Sequence, residues 1–384
     1  MINQNDISAI LEKYDPSQIT IGVLGGHSAL DVCNGAKKYG FRTVVVAQKG
    51  RDKTFSQYYK SRKDSYAPRG ETGCVDEVIL VDKFADVVNE DVQEKLRELN
   101  TIFIHNRYFW VYFKNFSDIE DKFMVPIFGL RQGVKLEERD QPLNQYHLLE
   151  KAGIRMPKIF DGPAAIDSLA IVKVNEATRD YERAFFFAHD KASFDEVSGK
   201  MLTSGQIKQE ALDKAVIEEF IVGAQVNLNF FYSEIDDELE LMGTDTRRQT
   251  DLDGFLRLNA KDQMALLDSG FKPKMIETGH YAVTMKESLV EKAYDIGEKF
   301  VTAMKKEVAP GMIGPFALQG AVAADDGKEE FVIFDVSMRI PGSPGTKYTP
   351  YSSYKYGESI SYGERIAIEL KKAIDSDRLN EILT

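Results

Sequence analysis

The sequence predicts an α/β layer followed by an α+β unit, and three observations carry that expectation. Short apolar runs alternate with helical stretches through the first third of the chain. Near Arg131 the character changes, and charged helices and longer strand-like runs follow with no internal repeat. Late in the chain two strand-like runs, residues 316–321 and 331–340, flank a short polar turn at 324–330 that allows them to pair as a hairpin. At 384 residues the chain exceeds one ordinary domain of roughly 100–200 residues, so two or three packed units are expected.

Residues 19–24 form an apolar run ending in Gly25-Gly26-His27-Ser28. Residues 29–39 have helical spacing with Gly40 as a stop, and residues 41–47 read as a second buried strand. This is a βαβ unit, whose first loop offers backbone N–H groups and the positive end of a helix to an anion, so phosphate is its natural occupant. A dinucleotide fold prefers G-x-G-x-x-G in that loop and an acid at the end of the second strand. The second strand here ends in Gln48-Lys49-Gly50-Arg51, a basic tip better suited to phosphate than to ribose hydroxyls. A plain glycine turn with solvated charges is the alternative. Strands at 75–81, 101–105 and 123–129, with a charged helix at 89–99, complete an open layer.

Beyond Arg131, the polar stretch 137–141 leads into a helix that ends near Gly153. Residues 171–174 form a strand carrying Lys173, and a charged loop joins it to the apolar strand 184–188, giving a flap. Residues 216–222 form a strand interrupted by Glu218-Glu219. After Gly223 the run 225–232 alternates Asn227 and Asn229 with Val226, Leu228 and Phe230. A helix is expected at 289–306. The expected division is 1–130 and 131–384, the second unit splitting into a smaller part, 131–222, and a larger one, 223–384.

In the strand at 331–340, strict alternation puts Phe331, Ile333, Asp335, Ser337 and Arg339 on one face and Val332, Phe334, Val336, Met338 and Ile340 on the other. Unpaired buried charge costs several kcal/mol, so the polar series either pairs internally or holds a ligand. An exposed sheet face is the plain alternative. Gln319, alone among apolar neighbours on the preceding strand, falls beside Asp335 if the two strands pair. Two oxygen ligands on adjacent strands suit Mg²⁺, which takes one or two protein ligands and completes its shell with water and nucleotide phosphates. Arg339 is then placed to neutralise a transferring phosphoryl group. Lys173 is a candidate contact to nucleotide phosphates, against the reading of a solvated strand-end lysine. The segment Glu218-Glu219-Phe220-Ile221 can read adenine through its backbone while a carboxylate holds ribose, against the reading of an edge strand with two exposed acids.

Composition narrows the classes of function. Lys and Arg total 49 against 61 Asp and Glu, a net charge of −12 that disfavours nucleic acid as a partner. No apolar run approaches the ~18 residues that span a bilayer, and the first residues lack the order of a secretory signal, so a cytoplasmic protein is expected. Cys33 and Cys74 stand far apart and read as core thiols. The five histidines, His27, His105, His147, His189 and His280, show no zinc spacing, and no G-x-S-x-G or S-x-x-K motif suggests a serine nucleophile.

This order of parts resembles the ATP-grasp superfamily. Ile21-Gly22-Val23-Leu24-Gly25-Gly26-His27-Ser28-Ala29-Leu30, Lys49-Gly50-Arg51-Asp52, Val125-Pro126-Ile127-Phe128-Gly129, Ile217-Glu218-Glu219-Phe220 and Gly314-Pro315-Phe316-Ala317-Leu318-Gln319 are similar, within it, to the archaeal PurP family over nearly the whole chain. The resemblance implies a Rossmann-like pre-ATP-grasp domain followed by an ATP-grasp domain. It also implies an ATP- and formate-dependent ligase that converts AICAR to FAICAR through formyl phosphate in purine biosynthesis, releasing ADP and phosphate, with Mg²⁺ or Mn²⁺ as the metal. By the same resemblance His27, Ser28, Arg107 and Asp251 meet AICAR, Lys173 with Glu218, Glu219, Phe220 and Ile221 holds ATP, Gln319 and Asp335 hold the metal, Arg339 is catalytic, and the protein self-associates. Two departures stand out: the flap at 175–183 lacks the glycines of some members, and Asp251 stands where some carry asparagine. They motivate one alternative, a ligase for another acid and amine; a nucleotide-binding regulator without turnover is a second, and an NAD-dependent dehydrogenase, disfavoured by the basic tip at 49–51, a third.

Overall fold

The computed structural model describes residues 2–384 except 114, 140, 175–183, 272, 274, 275 and 326. The flap expected at 175–183 therefore lies outside the described residues.

The first layer is a parallel sheet of β1 (Thr20–Leu24), β2 (Arg42–Gln48), β5 (Glu77–Val81), β6 (Thr101–Ile104) and β7 (Ile127–Phe128), with a small hairpin, β3 (Arg62–Lys63) and β4 (Glu71–Thr72), between β2 and β5. Its order is β5-β2-β1-β6-β7. All five residues of β1 are buried, as a central strand covered on both faces requires. The chain leaves β1 toward β2 on one side and later returns to β6 on the other. A crevice therefore opens beyond the ends of β1 and β6, where ligands gather in such sheets.

The chain's last segment belongs to this layer. Helix Tyr362–Asp375 lies across helix Ala29–Lys38, and Leu383 bridges Phe128 at the edge of the sheet. Gly35 and Gly363 make the crossing close: a Cβ on Gly35 would stand 2.0 Å from the carbonyl carbon of Gly363.

A second, antiparallel sheet has the order β10-β9-β11-β8, from β8 (Ile159–Phe160), β9 (Ala170–Val174), β10 (Ala184–Ala188) and β11 (Val216–Glu219). Phe160, Val172, Phe186 and Ile217 pack with Phe194 and Met201 of helix Lys191–Thr203. β11 ends at Glu219, short of the expected 222, because the Phe220 N–H turns to the Leu169 carbonyl.

The third sheet is antiparallel, β14-β13-β12-β15-β16, from β12 (Ala224–Ser233), β13 (Glu238–Gln249), β14 (Glu277–Ala282), β15 (Gly314–Asp325) and β16 (Lys328–Ser337). Helix Glu287–Glu307 and helix Gln145–Lys151 cover its apolar face, where Phe300, Met304 and Leu148 meet Leu228, Phe230 and Phe316.

Strict alternation fails in β16. Gln319 pairs with Asp335 but Gly320 pairs with Ile333, so Phe334 is an extra residue in a bulge. The bulge moves Phe331 and Ile333 into the same core as Val336 and Met338, while Asp335 lies on the polar side. The expectation that Phe331 and Ile333 share the face of Asp335 is thus corrected. The strand also stops at Ser337, leaving Arg339 and Ile340 in the segment beyond it.

Candidate functional site

The polar face of the third sheet carries the site. Asp245, Asn227, Gln319 and Asp335 stand side by side across β13, β12, β15 and β16, each paired directly with the next. Gln319 donates from Nε2 to Ser337 Oγ at 3.0 Å, which leaves its carbonyl oxygen for a cation. That oxygen holds the guanidinium of Arg247, which also lies 3.8 Å from Asp335 Oδ2. Arg139 donates from Nη2 to the other carboxylate oxygen, Asp335 Oδ1, at 2.9 Å. A single guanidinium thus spans Gln319 and Asp335, so their oxygens converge on one cation-binding place. The donor set, one neutral and one anionic oxygen, fits a hard divalent ion that takes its remaining ligands from water and phosphate. Among the described residues no group of three or more His, Cys, Asp or Glu side chains forms a metal site.

A buried polar path leads from this place to the second sheet. Lys173 on β9 and Glu218 on β11 form an ion pair, both almost wholly buried, and Lys173 Nζ also donates to the Phe334 carbonyl at 3.4 Å. The Tyr146 hydroxyl donates to Glu218 Oε2 at 3.0 Å and accepts from Arg139 Nε at 3.0 Å. Burial pulls the Lys173 ammonium down to about 8, with Arg139 adding to the effect and Glu218 opposing it. For Arg139 the cost of burial is more than offset by Asp335 and Tyr146, and its pKa is raised. Of the two hinge acids, Glu218 faces inward and is committed to Lys173 and Tyr146. Glu219 is half-buried, and its carboxylate accepts from the Lys158 N–H at 3.3 Å. Phe220 packs edge-on against Phe187, with Ile221 half-buried beside it in sequence.

A carboxylate platform organises the basic residues on the other side of Asp335. Glu137 accepts the Met338 N–H at 2.8 Å through Oε1, and through Oε2 it holds Arg107 at 3.0 Å and Arg339 at 3.3 Å. Arg107 also pairs with Glu138 at 3.1 Å. Gln145 fixes the platform by donating to the Glu137 carbonyl and accepting the Val336 N–H. Arg107, Glu137, Glu138, Arg139, Arg247, Gln319, Asp335, Ser337 and Arg339 line one cavity.

The crevice of the first layer adjoins this cavity. Ser28 sits at φ 66° before helix Ala29–Lys38, and its hydroxyl donates to the Pro341 carbonyl at 2.7 Å. Asn106 donates to the carbonyls of Leu24 and His27. The His27 ring packs against Gly342, where a Cβ would stand 2.2 Å from Nδ1, while the residue keeps an open edge to solvent. Partial burial of the ring, opposed by Glu277 and reinforced by the positive charge of His280 and Arg339, holds its pKa below the ordinary value. The expected basic tip is engaged elsewhere: Lys49 pairs with Asp82, and Arg51 lies among the rings of Phe84, Tyr108 and Tyr112.

At the other end of the sheet, His280 bridges two carboxylates, Asp245 at Nδ1 and Glu277 at Nε2, the latter at 2.8 Å. Burial opposes its charge, but the two acids hold its pKa up at about 9, and Glu277 is held down at about 2 despite partial burial. Asn227 and Asn229 complete the shell of the fully buried Asp245.

Gln319, Asp335, Arg339, Arg107, Lys173 and Glu218 are thus joined in one connected set, and His27 and Ser28 border it. Asp251 does not line the cavity. It is exposed, at φ 53°, at the start of the short helix Leu252–Phe255. Glu137, Arg139, Tyr146, Arg247, Glu277 and His280 escaped sequence reading. For Arg247 a signal existed, because it falls two residues after Asp245 and so shares its face in β13.

Comparison with known proteins adds the family. Residues 193–384 match a domain of unknown function (DUF1297), and residues 21–160 match a protein of unknown function (DUF1246). Over 386 aligned residues the chain is 37% identical to the 5-formaminoimidazole-4-carboxamide-1-(beta)-D-ribofuranosyl 5'-monophosphate synthetase of Methanobrevibacter smithii, covering 100% of this chain and 99% of the relative. The protein of the same name from Methanothermobacter thermautotrophicus is 39% identical with the same coverage. The chain belongs to this synthetase family. The solved structure of an IMP biosynthesis protein PurP from Thermococcus kodakaraensis, 27% identical, covers 95% of this chain and all of its own at a TM-score of 0.67. An ADP complex of N5-carboxyaminoimidazole synthetase from Staphylococcus aureus, 12% identical, covers 92% of this chain and 77% of its own at a TM-score of 0.55, a likeness of fold alone. The family fold is the two-domain ATP-grasp arrangement expected from the sequence. Among the described residues no helix is long and apolar enough to cross a membrane.

Proposed function

We propose that this chain is an ATP- and formate-dependent ligase that converts AICAR to FAICAR with release of ADP and phosphate, a step of IMP biosynthesis. The names of the relatives, each a synthetase of the 5-formaminoimidazole-4-carboxamide ribonucleotide, support the product. The observation that carries the chemistry is the unbroken path from Lys173 and Glu218 through Tyr146 and Arg139 to Asp335, ending on the cavity lined by Arg339. In this reading formate attacks the γ-phosphorus of ATP and ADP leaves. The AICAR amine then attacks the formyl carbon, phosphate departs, and the amine gives up a proton. Neither step needs a side-chain nucleophile; both need positioning and charge neutralisation.

Lys173 and the hinge Glu218 to Ile221 hold ATP in this account, with Glu219 the hinge acid left half-buried for ribose. Arg339 neutralises the transferring phosphoryl group, held in place by Glu137. His27, Ser28, Arg107 and Asp251 contact AICAR, the first three from the border of the crevice and cavity. Gln319 and Asp335 would hold Mg²⁺ or Mn²⁺, which when bound screens the phosphate charge. The division at 130 and 222 belongs to the same reading, supported by three sheets whose strands use consecutive stretches of chain, while the last segment, from Tyr362, crosses back to pack on the first layer. So do a cytoplasmic location, self-association and the absence of a nucleic-acid partner.

Incubation with ATP, Mg²⁺, formate and AICAR tests the proposal. ADP release that requires both formate and AICAR, with FAICAR as product, is expected. Release indifferent to AICAR would sink the substrate assignment. Asp335→Asn is expected to lower kcat by about 10²-fold or more, the scale of losing one preorganised electrostatic contact to the transition state.

A further inference from the structure

Arg139 and Arg247 approach the cation-binding place in the same way. Each Nε faces a partner outside it: Arg139 donates to the Tyr146 hydroxyl at 3.0 Å, and Arg247 lies in an ion pair, with no hydrogen bond at Nε, 3.3 Å from Glu277 Oε2. Each lays its Nη end on the proposed metal ligands, Arg139 on Asp335 Oδ1 at 2.9 Å and Arg247 on Gln319 Oε1 and, at 3.8 Å, on Asp335 Oδ2. The anchors are themselves fixed. Tyr146 is tied to the buried Glu218, and Glu277 to His280, which is held by the fully buried Asp245 with its two asparagines. Arg139 therefore has a hydrogen-bonded pivot and Arg247 an electrostatic one, and each has an exchangeable tip.

The tips occupy the oxygens a divalent ion would take. A hard ion at ~2.1 Å from Gln319 Oε1 and an Asp335 oxygen leaves no room for guanidinium nitrogens on the same lone pairs. We propose that Arg139 and Arg247 are stand-in cations: they neutralise Asp335 in the nucleotide-free protein, compete with the divalent ion for its oxygens, and swing on their Nε anchors when it enters. The charge of Asp335 is then balanced in both states, and its carboxylate never stands unpaired in a half-buried place. After the exchange two guanidinium ends lie free beside the ion, where anionic phosphate oxygens arrive with the nucleotide.

This inference rests on the assignment of Gln319 and Asp335 as metal ligands, and one binding experiment separates the two. Mn²⁺ is titrated into nucleotide-free protein and free Mn²⁺ is read by its paramagnetic resonance signal, for wild type, Asp335→Asn, Arg247→Met and Arg139→Met. Methionine removes the charged tip and adds no hard ligand. Asp335→Asn should abolish specific binding, whereas Arg247→Met should bind Mn²⁺ at least about fivefold more tightly than wild type, because a charge-assisted contact no longer competes. Arg139→Met should tighten binding in the same direction, and it reads the competition should Arg247→Met fail to fold. Unchanged or weaker Mn²⁺ binding in the arginine variants, with binding lost in Asp335→Asn, overturns the stand-in role and leaves the metal ligands standing. Full binding in Asp335→Asn overturns the ligand assignment and the stand-in role together.

Discussion

At the scale of single residues, the most charged part of the site away from the cation place is His280, set between Asp245 and Glu277 with Arg247 and His27 nearby. Its pKa is held up at about 9, above the ordinary 6.5. A group whose folded value is raised adds stability that is complete below its unfolded pKa and is lost as pH climbs through the folded one. The window here runs from pH 6.5 to about 9. The contribution is at most about 3 kcal/mol by linkage. Lys173 acts in the opposite sense over a higher window: its value near 8 lies below the ordinary 10.5, so its penalty is relieved as pH rises between them. Comparing wild type with His280→Gln at each pH cancels the lysine. Urea unfolding should show the variant less stable near pH 6, with the gap closing by up to that amount as pH approaches 9. A gap that stays constant with pH would mean that His280 is not held as an imidazolium.

At the scale of elements, sequence pattern gave the third sheet's late strands but not the bulge between them. The types of Gln319, Asp335, Ser337 and Arg339 announced a polar face, because a carboxylate and a guanidinium are seldom buried unless something pairs with them. Alternation then carried Phe331 and Ile333 to the wrong face, since one extra residue at Phe334 reverses inside and outside and leaves no mark in composition. The crossing of helix Ala29–Lys38 by helix Tyr362–Asp375 was equally hidden, because it joins segments more than 300 residues apart. That crossing depends on two glycines. A Cβ at Gly35 would meet backbone, the Gly363 carbonyl carbon at 2.0 Å and the Glu364 nitrogen at 2.2 Å, and backbone cannot rotate away as a side-chain tip can. Gly35→Ala should therefore destabilise the protein by about 2–3 kcal/mol, the usual cost of overpacking, despite alanine's better helix propensity. Because the same helix follows His27 and Ser28, the variant should also raise KM for AICAR more than it lowers kcat. Unfolding free energy and steady-state kinetics check the two halves, and unchanged stability would refute the close crossing.

At the scale of the whole molecule, the residues legible in sequence lie on strands whose pattern exposed them: Lys173, Glu218, Gln319 and Asp335. Those that connect them, Arg139, Tyr146 and Glu137, come from the loop and helix between the first two sheets, where polar residues are commonplace and only tertiary approach reveals a role. Tyr146 is the junction. Its hydroxyl is the link in this path between Glu218 of the second sheet and Arg139, which holds Asp335 of the third. If ATP sits against Lys173 and Glu218 while its metal sits on Asp335, the two halves of its site are aligned through this phenol and through the Lys173 contact to the Phe334 carbonyl. Tyr146→Phe keeps the ring and its packing but cuts the phenol link, leaving Arg139 Nε without the hydroxyl it now meets. Mg-ATP at about 100 times its Kd should stabilise wild type by about 2.7 kcal/mol. If the variant binds about tenfold more weakly, the same ligand concentration should stabilise it by only about 1.4 kcal/mol. Thermal unfolding with and without Mg-ATP measures both. Equal protection of the two proteins would show that the second and third sheets hold their parts of the nucleotide independently, and that the buried path from Lys173 to Asp335 serves the fold rather than the ligand.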